Sequence, residues 1–224
     1  MVELNIAIDG PAGAGKSTLA RLLSRNLTLN YLDTGGMYRA ITLKVLRQGT
    51  DLSDEKALLD LLNNTKIEIV DEKDGNRVFM DGEEVTQTIR DKEVNQWVSQ
   101  VSRLKLVREA MVKNQRELAR NWGGVVMDGR DIGTCVLPDA NYKFYLDASL
   151  EERIKRRYNE LLEKGKEVSW DEVKEEMEKR DEIDQNRALS PLRVASGAVV
   201  VDTTDLNLEG VLQKIMRYLE QEPA

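Results

Sequence analysis

Gly10-Pro11-Ala12-Gly13-Ala14-Gly15-Lys16-Ser17 has the spacing Gly, four residues, Gly-Lys-Ser, a set of residue types suited to holding a polyphosphate. Glycines at 10, 13 and 15 let the backbone turn tightly and approach phosphate oxygens with no Cβ in the way. Successive N–H groups then form a concave nest, and a helix starting there adds the positive end of its dipole. Lys16 can reach β- and γ-phosphates, and the Ser17 hydroxyl suits Mg²⁺. Gly10, Pro11, Ala12, Gly13, Ala14, Gly15, Lys16, Ser17 and Thr18 are therefore candidate nucleoside-triphosphate binders, with Ser17 also a candidate metal ligand. The competing reading is a glycine-rich turn on a Rossmann-like strand.

Two more stretches carry chemistry. Asp33-Thr34-Gly35-Gly36-Met37-Tyr38-Arg39 is either a helix cap at Asp33 or Thr34, or a cap plus an arginine placed to hold a second phosphate. Gly123-Gly124-Val125-Val126-Met127-Asp128-Gly129-Arg130-Asp131 is an apolar run ending in Asp. It reads as a strand followed by an Asp-Gly turn, or as a strand that brings Asp128 near Mg²⁺ at the sheet edge where ligands bind.

The elements that must position these groups follow from periodicity. Residues 4–9 read as a buried strand and residues 16–27 as the helix after the loop, with apolar residues at helical spacing. A second strand ends near Tyr31-Leu32, and a helix runs through Ile41, Leu43, Val45 and Leu46. Residues 51–63 read as a short helix capped at Ser53, with Leu58, Leu59, Leu61 and Leu62 as its apolar face. The period then changes to an antiparallel meander with turns at Asp74-Gly75-Asn76 and Asp81-Gly82. Residues 64–90 are expected to form an inserted β subdomain over the acceptor site, the core being 1–63 and 91–224. A long helical zone is expected from about Asp91 to Asn121, striped by Val94, Trp97, Val98, Val101, Leu104, Val107, Met111 and Leu118. Ser99 and Arg108 on it are surface residues or project into a cleft. Strands follow at 142–146 and 198–201. Between them lie helices capped at Ser149 and Ser169, with a break at Gly165. Most charges on these helices read as a solvated face, yet Arg153, Arg156, Arg157, Arg180 and Arg187 resemble the arginine-rich lid of a phosphotransferase, at about 150–187. A last amphipathic helix uses Leu208, Val211, Leu212, Ile215, Met216 and Leu219.

Composition removes several alternatives. The 224 residues include no histidine and one cysteine, Cys135, so a Ser-His-Asp triad is impossible and a zinc site disfavoured. Cys135 has no histidine to activate it and reads as a small core residue. The net charge of −7 disfavours a broad nucleic-acid surface. No apolar run approaches the ~18–20 residues of a membrane helix. The start Met1-Val2-Glu3 lacks a basic and an apolar signal region, which together with the lone cysteine points to a cytoplasmic setting.

Taken in order, Gly10 to Ser17, Asp33 to Arg39, Asp128-Gly129-Arg130-Asp131-Ile132-Gly133-Thr134 and Lys179-Arg180-Asp181-Glu182-Ile183-Asp184-Gln185-Asn186-Arg187 resemble bacterial-type cytidylate kinases, nucleoside monophosphate kinases. The resemblance covers essentially the whole chain, the meander included. Thr34-Gly35-Gly36 departs mildly from the Ser-Gly-Ala frequent in the family, keeping the hydroxyl and a glycine. The resemblance implies an α/β phosphate-loop NTPase fold: a five-stranded parallel sheet flanked by helices, a small antiparallel β insertion and a helical lid. It implies ATP and Mg²⁺ as cofactors, CMP or dCMP as acceptor, and a monomer that binds neither nucleic acid nor membrane. Ser99, Arg108 and Asp131 would meet cytosine, Arg180 and Asp184 the sugar, and Arg39, Arg130 and Arg187 the acceptor phosphate. Asp33 and Thr34 join this acceptor set. Lys16, Arg130, Arg180 and Arg187 would be catalytic, and Ser17 and Asp128 would serve the metal. The rivals are a UMP kinase or a shikimate- or gluconate-type small-molecule kinase, a GTPase switch, which would need an absent Asn-Lys-x-Asp motif, and an ATP-dependent assembly factor.

Overall fold

A computed structural model describes residues 4–72 and 75–222. The chain runs β1 (Leu4–Asp9), α1 (Lys16–Leu27), β2 (Asn30–Asp33), α2 (Thr34–Gln48), α3 (Glu55–Asn63), β3 (Ile67–Glu72), β4 (Gly75–Met80), β5 (Glu83–Glu84), α4 (Lys92–Ser102), α5 (Lys105–Trp122), β6 (Gly124–Gly129), β7 (Tyr142–Asp147), α6 (Leu150–Glu163), α7 (Trp170–Asn186), β8 (Val199–Asp202) and α8 (Leu208–Gln221). Five strands form one sheet in the order β2-β6-β1-β7-β8, with every neighbour parallel.

Near-continuous apolar runs let the central strands bury both faces. Ile6, Ile8 and Val126 pack on one face with Leu19 and Leu23 of α1 and with Val211 and Ile215 of α8. Ala7, Val125 and Met127 face the other way, against α2 and α5. Each fully buried Leu or Ile side chain contributes about 1.5–3 kcal/mol. Parallel pairing brings the strand ends to one edge: Asp9 stands opposite Gly129, and Asp33 opposite Asp128. The register thus gathers Asp9, Asp33 and Asp128 at the sheet edge from which the phosphate loop leaves β1.

The meander is a separate antiparallel sheet, β3-β4-β5. Its Asp81-Gly82 turn has both residues at positive φ, the geometry a two-residue hairpin favours. Asp74, expected in the preceding turn, lies outside the described residues. Ile69, Val78 and Met80 join the core around α2. Side chains also dock this sheet onto β2. Tyr31 N donates to Asp71 Oδ2 (2.8 Å), Asn76 Nδ2 to Tyr31 O (2.8 Å), and Asp33 N to Asn76 Oδ1 (2.7 Å). The outer edge of β2 is therefore covered by side-chain mimics of a strand.

Several local expectations are corrected. The helix at 51–63 starts later, at Glu55, and its cap is Asp54, whose carboxylate accepts from Ala57 N. Ser53 instead donates to Asp51, a local turn that competes with helix initiation. Leu59, Trp97 and Leu208 are exposed, not packed. The zone expected as one helix at 91–121 is broken. Leu104 is extended at φ −69°, ψ 133°, and Arg108 Nη1 donates to Ser102 O (3.3 Å), giving the end of α4 a side-chain partner in place of the next helical turn. Cys135 is half-buried rather than a core residue.

Candidate active site

Helix α1 begins at Lys16 because Gly15, in left-handed conformation at φ 86°, ends the loop. Gly10 lies at φ 148°, and a Cβ there would stand 2.0 Å from Leu146 O; only glycine lets the loop leave β1 beside β7. Gly13 is confined to a lesser degree, since a Cβ would fall 2.9 Å from Arg153 O and 3.0 Å from Met177 Cε. Thr18 is exposed on the first turn of α1.

Lys16 is buried and its Nζ donates to Pro11 O (2.6 Å). Burial and the neighbouring Arg130 guanidinium hold its ammonium well below the usual lysine range. Ser17 Oγ donates to Asp128 Oδ2 and the Tyr31 hydroxyl to Asp128 Oδ1, both at 2.8 Å. Thr34 Oγ1 donates to Asp128 O (2.7 Å). Burial, then the charge of Asp33, raises the Asp128 carboxyl. Among the described residues no cluster of three or more His, Cys, Asp or Glu side chains is placed to hold a metal ion. A hydroxyl bonded to a carboxylate is nevertheless a hard oxygen pair of the kind Mg²⁺ takes when phosphates and waters fill its other positions, so Ser17 and Asp128 fit that ion.

Helix α2 is capped by Asp33, which accepts from Gly36 N (3.1 Å); of the two expected caps, Thr34 is the first helical residue. Asp33 also pairs with Arg90 (3.4 Å). Arg39 Nε donates to Asn95 Oδ1 (3.3 Å).

A run of buried ion pairs joins three elements. Arg108 of α5 bonds Asp131 Oδ2, and Arg187, just past α7, lies 3.3 Å from Asp131 Oδ1. Arg187 is 4.0 Å from Asp184 Oδ1, while Arg130 Nε donates to Asp184 Oδ2 (2.8 Å). Ser99 is buried on α4, and its carbonyl accepts from Ser102 Oγ (3.3 Å). Arg130, Arg180 and Asp184 in turn perturb Lys16, so the run ends at the phosphate loop.

Arg180 carries a buried Nε with no hydrogen-bond partner. Burial, then the charges of Arg130 and Arg39, push its guanidinium down to about 9. Arg39 is lowered chiefly by burial, with Arg90 and Arg130 acting in the same direction against Asp33. Cations crowded until their own ionisation is penalised form a field that an anion relieves.

The arginines of α6 and α7 divide by what they touch. Arg153 pairs with Asp181 (2.5 Å) and donates to Ala148 O and Ala12 O (both 3.1 Å), tying α6, α7 and the phosphate loop together. Arg156 bonds Thr203 Oγ1 and O at 3.0 and 2.6 Å, and Arg157 pairs with Glu160 (2.9 Å). Arg153 and Arg156 hold α6 and α7 to the core.

Sequence reasoning missed Asp9, Tyr31 and Asn95. Asp9 accepts from Ile132 N and Gly133 N, each at 2.8 Å. Tyr31 and Asp33 alternate onto one face of β2, which was the available signal for Tyr31.

A sequence model of the cytidylate kinase family matches residues 6–221. A cytidylate kinase of Caldanaerobacter subterraneus subsp. tengcongensis is 53% identical over 220 residues, covering 98% of this chain and 96% of that protein. A cytidylate kinase of Bacillus subtilis is 49% identical, covering 98% of each. Among solved structures, a gluconokinase from Sinorhizobium meliloti superposes with TM-score 0.53 at 11% identity, covering 98% of this chain and 93% of that one. A shikimate kinase from Acinetobacter baumannii superposes with TM-score 0.50 at 16% identity, covering 99% and 95%. These two likenesses concern the fold alone.

Proposed function

The chain belongs to the cytidylate kinase family, and from that premise we propose how its own residues carry out the transfer of a phosphoryl group from ATP to CMP or dCMP. The donor triphosphate lies in the loop from Gly10 to Thr18, its oxygens meeting backbone N–H groups and Lys16 Nζ, which leaves Pro11 O to do so. Ser17 and Asp128 hold Mg²⁺, which when bound supplies charge neutralisation between the phosphates.

The acceptor half reads cytosine by hydrogen-bond polarity. Its N4 amino group donates to the Asp131 carboxylate, while Arg108 and Ser99 donate to N3 or O2. Uracil turns O4 toward that carboxylate and makes N3 a donor. A mismatched buried polar pair costs about 1–3 kcal/mol, so CMP is favoured over UMP about 10- to 100-fold. Arg180 and Asp184 hold the sugar. Asp33, Thr34, Arg39, Arg130 and Arg187 form the acceptor-phosphate end, where planar guanidinium groups suit phosphate oxygens.

The attacking group is already an anionic phosphate oxygen, so no general base is needed. Lys16, Arg130, Arg180 and Arg187 stabilise charge on the transferred group. Residues 64–90 act as a unit over the acceptor and residues 150–187 as a lid, both closing to exclude water that would hydrolyse ATP. We further read the protein as a cytoplasmic monomer acting on free nucleotides; the net charge of −7 argues against nucleic acid, and no helix among the described residues is long and apolar enough to cross a membrane.

The observation that carries this reading is the buried run Arg108–Asp131–Arg187–Asp184–Arg130. It brings carboxylates and guanidinium groups onto one path to Lys16, which supports giving Asp131 to the base and the arginines to a phosphate. The test is a panel of the common nucleoside monophosphates with ATP and Mg²⁺, reading ADP. CMP and dCMP should lead. A panel led by UMP or AMP would overturn the acceptor assignment, and so would shikimate or gluconate as the better acceptor.

A further inference from the structure

The turn that presents Asp131 is gripped at both ends by groups with no part in the chemistry above. Asp131 sits at φ −146°, ψ 29°, outside regular helix and strand geometry, and leads into a π-helical turn, Ile132–Val136. Such turns are uncommon and need local support. At the near end stands Asp9, the last residue of β1 and the neighbour of Gly10. Its side chain is 3% exposed, and its two oxygens accept separately from Ile132 N and Gly133 N at 2.8 Å. At the far end Arg116 of α5 donates to Cys135 O (2.6 Å) and Val136 O (2.9 Å).

A carboxylate bonded to two successive amides fixes the planes of both peptides. It therefore fixes the direction in which the preceding residue projects its side chain. That residue is Asp131, whose carboxylate already holds Arg108 and Arg187. An amide in place of the Asp9 carboxylate has one acceptor oxygen and would turn an NH₂ toward the second N–H. The turn would lose one grip and meet a repulsion.

We propose that Asp9, backed by Arg116, is a positioning residue for nucleobase selectivity, holding Asp131 in place without itself contacting the base. The inference rests on the cytosine-reading role given to Asp131 above.

Full-length wild-type, Asp9→Asn and Arg116→Ala proteins are compared by steady-state kinetics with CMP and with UMP at saturating ATP, and with ATP varied at saturating CMP. For Asp9→Asn, KM for CMP should rise about tenfold or more and the CMP/UMP ratio of kcat/KM should fall about tenfold. KM for ATP should stay within about twofold, since displacement of one reading group by an ångström costs up to ~100-fold on that substrate alone. Arg116 is exposed, so Arg116→Ala should fold and move the same ratio in the same direction by a smaller factor. Equal rises in KM for ATP and CMP at an unaltered CMP/UMP ratio would assign Asp9 to the phosphate loop and overturn the proposal, as would unaltered kinetics. If Asp9→Asn does not fold, the Arg116→Ala ratio decides alone, and an unaltered value overturns it. A wild-type protein that does not prefer CMP would sink the functional reading first and this inference with it.

Discussion

Lys16 and Asp128 are perturbed in opposite directions beside the phosphate loop, and each is held by hydrogen bonds within the protein. Lys16 donates to Pro11 O, with burial and the Arg130 charge both working against its ammonium. Polyphosphate oxygens offer it a stronger, charge-assisted partner. Lys16→Ala should lower kcat by about 10²–10³ or more, the range for losing a donor aimed at developing charge. An ADP-coupled assay with CMP checks this, and wild-type turnover would remove Lys16 from the transfer step. Asp128 has both oxygens engaged, by Ser17 and by Tyr31. Tyr31→Phe leaves a buried oxygen without its donor, which costs about 1–3 kcal/mol, and frees the carboxylate to rotate. The urea midpoint should fall, and the Mg²⁺ concentration for half-maximal rate should rise while KM for CMP holds. An unchanged Mg²⁺ titration would leave Tyr31 with a packing role only.

At the scale of elements, the small sheet packs its apolar residues on α2 and bonds β2 through Asp71 and Asn76, beside the residues proposed to hold the acceptor. Asn76 alone supplies the bonds to Tyr31 O and Asp33 N, next to the cap that starts α2. Asn76→Ala should destabilise the protein by about 1–3 kcal/mol and raise KM for CMP several-fold, with KM for ATP unchanged. Equal effects on both substrates would show that the sheet serves general stability and not the acceptor half. Elements of this kind were legible where the signal is local. The phosphate loop, β1 and α1 follow from a glycine pattern between an apolar run and a helical stripe, and the caps at Ser149 and Ser169 from a hydroxyl three residues before Glu. The break between α4 and α5 was hidden because the apolar stripe continues across Arg103-Leu104, whereas a guanidinium meeting Ser102 O interrupts the helix. Asp9 and Tyr31 were hidden for a related reason: their partners lie 123 and 97 residues away. Lid arginines at helical spacing look alike in sequence. Only packing separates Arg153 and Arg156, which hold Asp181 and Thr203, from Arg180, whose Nε is left without a partner.

For the whole molecule, the site concentrates buried charge that folding alone does not favour. Burial pushes the Asp9 carboxyl up to about 6 from 3.8, against the lowering effect of its two backbone bonds. A raised carboxyl pKa means the native state binds a proton that the unfolded chain has released. Its contribution is therefore fully present below about pH 4 and is lost as pH rises through about 6. Asp184 has the opposite sign. Arg130, Arg180 and Arg187 outweigh its burial and hold it below the usual carboxylate range, so its contribution is present at neutral pH and lost under acid conditions. Together these two groups favour a protein most stable at mildly acidic pH. The Asp9 part is separable. Urea unfolding at pH 5 and pH 7.5 should show wild-type stability falling between the two, and Asp9→Asn should fall less, by ~1–1.5 kcal/mol. Parallel changes in the two proteins would mean that Asp9 is ionised across the whole window and that its grip on Ile132 and Gly133 carries no titration cost.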